Sequence, residues 1–87
     1  MHDTQERVTA SFDAQGLMVT LGAQLLSVED GEVQIALPYA KKLSQQLGYV
    51  HAGAITSVVD SACGYAALTR APQDCEVRSE ELSIWIR

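Results

Sequence analysis

The sequence predicts a small α+β domain, and three stretches carry that prediction. Asp30-Gly31 between two apolar-patterned runs signals a hairpin. A nearly uncharged run beginning at Ala52 is too long for a strand, and Leu82, Ile84 and Ile86 alternate with Ser83, Trp85 and Arg87 at the far end. The order is therefore hairpin, long helix, strand, with a shorter amphipathic lead-in.

Along Thr4 to about Gln15, Val8 and Phe12 stand four apart among Glu6, Arg7 and Asp13, the spacing of a short amphipathic helix. Gly16 interrupts it. Leu17, Met18, Val19 and Leu21 then form an apolar turn that stops at Gly22. Gln24 to Glu29 and Glu32 to Leu37 are the hairpin strands, because Asp-Gly suits the tight turn whose twist matches paired strands. Val33, Ile35 and Leu37 give the second strand one buried face, and Pro38 ends it. Tyr39 to Val50 is a polar connection with Lys41, Lys42, Gln45, Gln46 and Gly48, placed to carry side chains toward a site. Ala71 to Asp74 is a loop before the last strand, on which Trp85 is a packing residue.

The long run reads as one buried helix from about Ala52 to Thr69. One carboxylate, Asp60, sits in its middle, and a carboxylate in apolar surroundings is costly unless it is paired or retained for a purpose. Gly53, Thr56 and Asp60 follow i, i+3, i+7, so they share a small, polar, open face. Ser57 and Ser61 lack a His and Asp at serine-hydrolase spacing, and Cys63 reads as core.

The 87 residues make one domain, 1–87, whose core is small enough that association with another copy is expected. A formal charge of −5 disfavours nucleic acid or an anionic membrane surface as the partner, leaving a small ligand. Cys63 and Cys75 have neither metal-ligand nor disulfide-framework spacing, which suits free thiols in the cytoplasm. The first seven residues lack the pattern of a secretory signal, and Asp60 and Gly64 argue against reading the long helix as a membrane span.

The run Gln45 to Gly53, followed by Asp60 and Gly64-Tyr65-Ala66-Ala67, resembles hotdog-fold acyl-CoA thioesterases of the phenylacetic-acid-degradation (PaaI-like) type. Gln15 to Met18, Leu21-Gly22-Ala23 and the hairpin ending in Leu37-Pro38 are similar to that family's lead-in, so the likeness covers roughly residues 7 to 77. It implies a curved antiparallel sheet wrapped around one long helix, and pairing into a homodimer or homotetramer with sites between subunits. The implied reaction is hydrolysis of an acyl-CoA thioester to free acid and coenzyme A, without metal or redox cofactor.

Within that resemblance, Asp60 is the nucleophile or the base that activates water. Ala52 and Gly53 offer N–H groups to the developing oxyanion, with Ala52 standing where the family has the first glycine of a His-Gly-Gly triplet. Gln45 takes the place of an Asn that orients thioester or water, with Gln46 as the competing residue. Gln46, His51, Thr56 and Ser61 are the substrate-facing candidates, and Lys41 and Lys42 could meet coenzyme A phosphates. Each has a plainer alternative: Asp60 hydrogen-bonded for packing, Gly53 allowing close approach, Gln45 or Gln46 as a solvated amide, His51 shaping the loop, the lysines as surface.

Family members continue with two further strands, and Arg78 to Arg87 departs from their usual third strand. The expectation is an incomplete domain lacking the second half of the sheet. A non-catalytic acyl-binding or assembly module, or an inactive truncated product, stay open beside the enzyme.

Overall fold

The structure, a computed structural model, describes residues 2–71. The expected last strand, Trp85, Cys75 and the rest of the loop after Ala71 lie outside the described residues. Element order is α1 (His2–Asp13), α2 (Gly16–Leu21), β1 (Gln24–Glu29), β2 (Glu32–Ala36), a 3₁₀ turn (Lys41–Leu43) and α3 (Ala52–Leu68).

Helix α1 begins earlier and ends earlier than the Thr4 to Gln15 expectation. Its last turn tightens, with the Gln15 N–H donating to the Phe12 carbonyl at 3.0 Å, and Gln15 then swings to an extended conformation. The break thus falls at Ala14-Gln15, and Gly16 opens α2 instead of interrupting the chain. The predicted stop at Gly22 holds. Gly22 is left-handed at φ +74°, its N–H donates to the Val19 carbonyl at 3.1 Å, and the next N–H, of Ala23, reaches the Met18 carbonyl at 3.0 Å. Those paired bonds satisfy the carbonyls that a helix end leaves open.

Strands β1 and β2 pair antiparallel from Glu29↔Glu32 to Gln24↔Ala36, so Asp30-Gly31 is the whole turn, with Gly31 at φ +75°. A β-bulge interrupts the register between Leu25 and Ser27. Leu26 is the extra residue and is exposed, so Leu25 and Val28, three apart, both turn toward the core. Strict alternation would have sent one of them to solvent.

The core gathers Val8 and Phe12 of α1, Met18 of α2, Val28 of β1, and Val58 and Tyr65 of α3, flanked by Leu25, Val33, Ile35 and Leu68. Phe12 and Tyr65 meet with ring centroids 6.5 Å apart and planes tilted by 60°. Helix α3 packs on β2, and its end is tied to the hairpin turn. The Gly31 N–H donates to Thr69 Oγ1 at 2.7 Å, and Arg70 Nε pairs with Asp30 at 3.3 Å.

Helix α3 is not buried all round. Ala54, Val58 and Tyr65 face inward, while Ala52, Val59, Cys63 and Ala67 form an outward stripe at helical spacing. Cys63, expected in the core, is exposed. Its neighbours in sequence do not distinguish the sides of the helix, because α3 carries apolar residues on its outward stripe as well as on its inward face. No helix among the described residues is long and apolar enough to cross a membrane.

Candidate functional site

The approach to α3 is a closed loop. Ser44 and Val50 form an antiparallel bridge, the Gln45 N–H donates to the Tyr49 carbonyl at 2.8 Å, and the Gly48 N–H to the Gln45 carbonyl at 3.0 Å. Gly48 sits at φ +88°, as the turn requires. The Gln45 side-chain oxygen accepts from the Leu47 N–H, which commits that oxygen to the loop. Its amide nitrogen has no partner among the described residues. Gln46 is exposed and Gln45 half-buried, so Gln45 is the one held in a defined orientation.

At the start of α3, His51 is the N-cap. Its backbone is extended (φ −61°, ψ 131°), and its Nδ1 accepts the Gly53 N–H at 2.8 Å. The Ala54 and Ile55 N–H groups both reach the His51 carbonyl, at 3.0 and 3.3 Å. Of the first-turn donors, only the Ala52 N–H is left without an acceptor among the described residues. The sequence had treated Ala52 and Gly53 as equivalent donors. In the structure one is occupied and one is open. Gly53 also has a steric reason to be glycine, since a Cβ there would lie 2.9 Å from His51 Nδ1.

Beside this turn lies an open depression of about 280 Å³, with Leu17, Leu21 and Leu43 as its apolar wall and Lys42, His51 and Ser57 as its polar side. The Ser57 hydroxyl is engaged with the Gly53 carbonyl at 2.8 Å. Asp60 is two turns further along, the only charged residue of α3. It is half-buried, and its Oδ1 is shielded from solvent with no hydrogen-bond partner among the described residues. An unpaired shielded carboxylate oxygen is uncommon enough to call for an explanation. Thr56 is half-buried on the same face, its hydroxyl without a hydrogen-bond partner among the described residues. Ser61, by contrast, turns toward α1 and α2, where its hydroxyl donates to Gln15 Oε1 at 3.2 Å.

A crystal structure of a thioesterase family protein from Silicibacter pomeroyi superposes with a TM-score of 0.73 at 44% identity, covering 76% of this chain and 48% of that one. The chain is similar to a thioesterase. A provisionally named esterase of Halobacterium salinarum is 30% identical over 74 residues, 82% of this chain and 49% of the relative. No family model matches the chain. It spans about half the length of the thioesterase and esterase relatives it matches. The described two-stranded antiparallel sheet and long helix are an α+β arrangement consistent with part of a hotdog thioesterase fold.

Sequence reasoning passed over Gln15, Ser11 and Tyr65 as polar groups that act together. Gln15 Nε2 donates to the Tyr65 hydroxyl at 2.5 Å, and Ser11 Oγ lies 3.0 Å from the same hydroxyl. The available signal was a glutamine at the break between two helices, a place where a long amide can reach across.

Proposed function

We propose that the chain carries the catalytic helix of an acyl-CoA thioesterase, with Asp60 as the group that delivers or activates the attack. The observation that carries this reading is Asp60 itself, one carboxylate in an otherwise uncharged helix, with Oδ1 shielded and without a hydrogen-bond partner among the described residues. Similarity to a thioesterase and an esterase supports the reaction class.

In the water-activated form, Asp60 takes a proton from water as the hydroxyl oxygen bonds to the thioester carbonyl carbon. Charge moves to the carbonyl oxygen, facing the open Ala52 N–H. The carbon–sulfur bond then breaks, and the departing thiolate takes up the proton that Asp60 accepted from water, leaving free acid, thiol and the Asp60 carboxylate restored. The apolar wall formed by Leu17, Leu21 and Leu43, in the depression that His51 and Gly53 also line, suits an acyl chain.

Ala52 and Asp60 are eight residues apart on one helix, a rise of about 12 Å. One carbonyl group cannot span that interval. The site therefore pairs the Ala52 N–H of one copy with the partner subunit's Asp60, which makes a homodimer the minimal unit of activity.

The test is release of coenzyme A from a panel of acyl-CoA thioesters by the parent chain and by Asp60→Asn, on samples checked for oligomeric state. Turnover in the parent that falls by about a hundredfold or more in Asp60→Asn is the expected result. Equal rates in the two proteins would overturn the reading. A second reading, acyl binding without turnover, is favoured by one observation: His51 already occupies the Gly53 N–H, leaving a single open donor. Tight binding with no release in the same assay would select it.

A further inference from the structure

Gln15 joins α1 to α2 by its backbone and grips α3 by its side chain. Its carbonyl accepts the Val19 N–H at 3.2 Å, and its N–H donates to the Phe12 carbonyl at 3.0 Å, so the residue is fixed at both main-chain groups. Its carboxamide then divides between two residues of α3 that lie one turn apart. Nε2 donates to the Tyr65 hydroxyl at 2.5 Å, and Oε1 accepts from Ser61 Oγ at 3.2 Å. Tyr65 is buried, its ring rests on Phe12, and its hydroxyl is also 3.0 Å from Ser11 Oγ.

Two bonds spaced by one turn restrain both the rotation of α3 about its axis and its sliding along it. These polar bonds add to the apolar hold on α3, whose buried side chains are Ala54, Val58 and Tyr65. Asp60 is the neighbour of Ser61, about 100° further round. A carboxylate about 5 Å from the axis moves by roughly 0.9 Å for each 10° of helix rotation. A misplacement of about 1 Å in a reacting group is enough to cost on the order of a hundredfold in rate.

We propose that Gln15 is a positioning residue for Asp60, its carboxamide setting the azimuth of α3 through Ser61 and Tyr65. The proposal rests on the thioesterase reading of Asp60. It assigns Ser61 to this bracket instead of to substrate.

The experiment compares kcat and KM for acyl-CoA hydrolysis in the parent chain, Asp60→Asn, Gln15→Leu and Gln15→Glu. Gln15→Leu removes both bonds and is expected to lower kcat by about tenfold or more with KM changed less than about twofold. Gln15→Glu keeps the length and two acceptor oxygens, to which both the Ser61 hydroxyl and the Tyr65 phenol can donate, so it recovers most of the loss. kcat is referred to the folded fraction of each sample, measured by near-UV circular dichroism, so a residue that merely supports folding would leave kcat per folded molecule at the parent's value.

Should Gln15→Leu fail to fold, Tyr65→Phe and Ser61→Ala remove one bond each, and each is expected to lower kcat severalfold. NMR gives a readout independent of turnover. The Asp60 and Ser61 amide resonances shift in Gln15→Leu and Tyr65→Phe, while those of the hairpin stay in place. Parental kcat in all folded variants, or unmoved Asp60 and Ser61 resonances, overturns the proposal while leaving the thioesterase reading intact. Absence of turnover in the parent, or full activity in Asp60→Asn, removes that reading and this proposal together.

Discussion

The imidazole of His51 caps the helix that it precedes: its Nδ1 accepts the Gly53 N–H at 2.8 Å and lies 2.9 Å from where a Cβ on Gly53 would stand. The proton of the neutral ring therefore resides on Nε2. This contact fixes which backbone donor of the turn is spent and which is open, and the first three predictions follow from it.

His51→Ala leaves the Gly53 N–H to water and is expected to lower stability by about 1 kcal/mol. His51→Asp supplies a carboxylate acceptor at the same place and should recover that loss. Urea denaturation of the two variants checks both statements. If His51 also contacts substrate, the Asp variant regains stability without regaining KM.

Gly53→Ala sets two effects of similar size against each other. Alanine favours the helix by up to about 1 kcal/mol. Its Cβ, 2.9 Å from Nδ1 and 3.2 Å from Cε1, drives the ring off the cap and forfeits about the same amount. Net stability is expected to change by less than about 1 kcal/mol. The imidazole ¹⁵N shifts should move clearly, and an unmoved Nδ1 resonance would contradict the contact.

Ala52→Pro deletes the open N–H with little structural disturbance. Proline suits the first helical position, and His51 before it already has the extended backbone that proline demands. The expected result is a fall in kcat of about a hundredfold at unchanged stability. Mixing this variant with Asp60→Asn tests the proposal that the site is shared between two subunits. With free subunit exchange, half of the dimers carry one intact site of two, and activity returns to about a quarter of the parent's. No recovery on mixing would place Ala52 and Asp60 in the same copy.

What was legible in the sequence was local. Asp30-Gly31 announced its own turn, Gly22 its own helix stop, and the run from Ala52 had few alternatives to a helix, ending one residue from the expected Thr69. The Leu26 bulge was not legible, because it exists only in the pairing of β1 with β2. Cys63 was misread for a related reason: residue type reports polarity, and the side of α3 that faces out is set by where the hairpin and α1 dock. The Gln15 bracket joins residues 46 and 50 positions apart, and nothing near Gln15 hints at its partners. Asp60 could be singled out from sequence because it breaks an apolar run. That its Oδ1 is shielded and has no partner among the described residues required coordinates.

The tie between the hairpin turn and the end of α3 bears on the order of assembly. Gly31 and Thr69 are 38 positions apart and Asp30 and Arg70 are 40 apart. Closing a loop of that length costs about 3 kcal/mol beyond the constant term. One exposed ion pair contributes about 0.2–1 kcal/mol, and one hydrogen bond about 1 kcal/mol. Their sum does not reach the closure cost, so the tie cannot nucleate the approach of its own ends. The hairpin, closed by two residues, and the turns of α3 form from near neighbours. Burial of Val58 and Tyr65 against Val8, Phe12, Met18 and Val28 then brings them together, and the Asp30–Arg70 latch engages after the chain has collapsed.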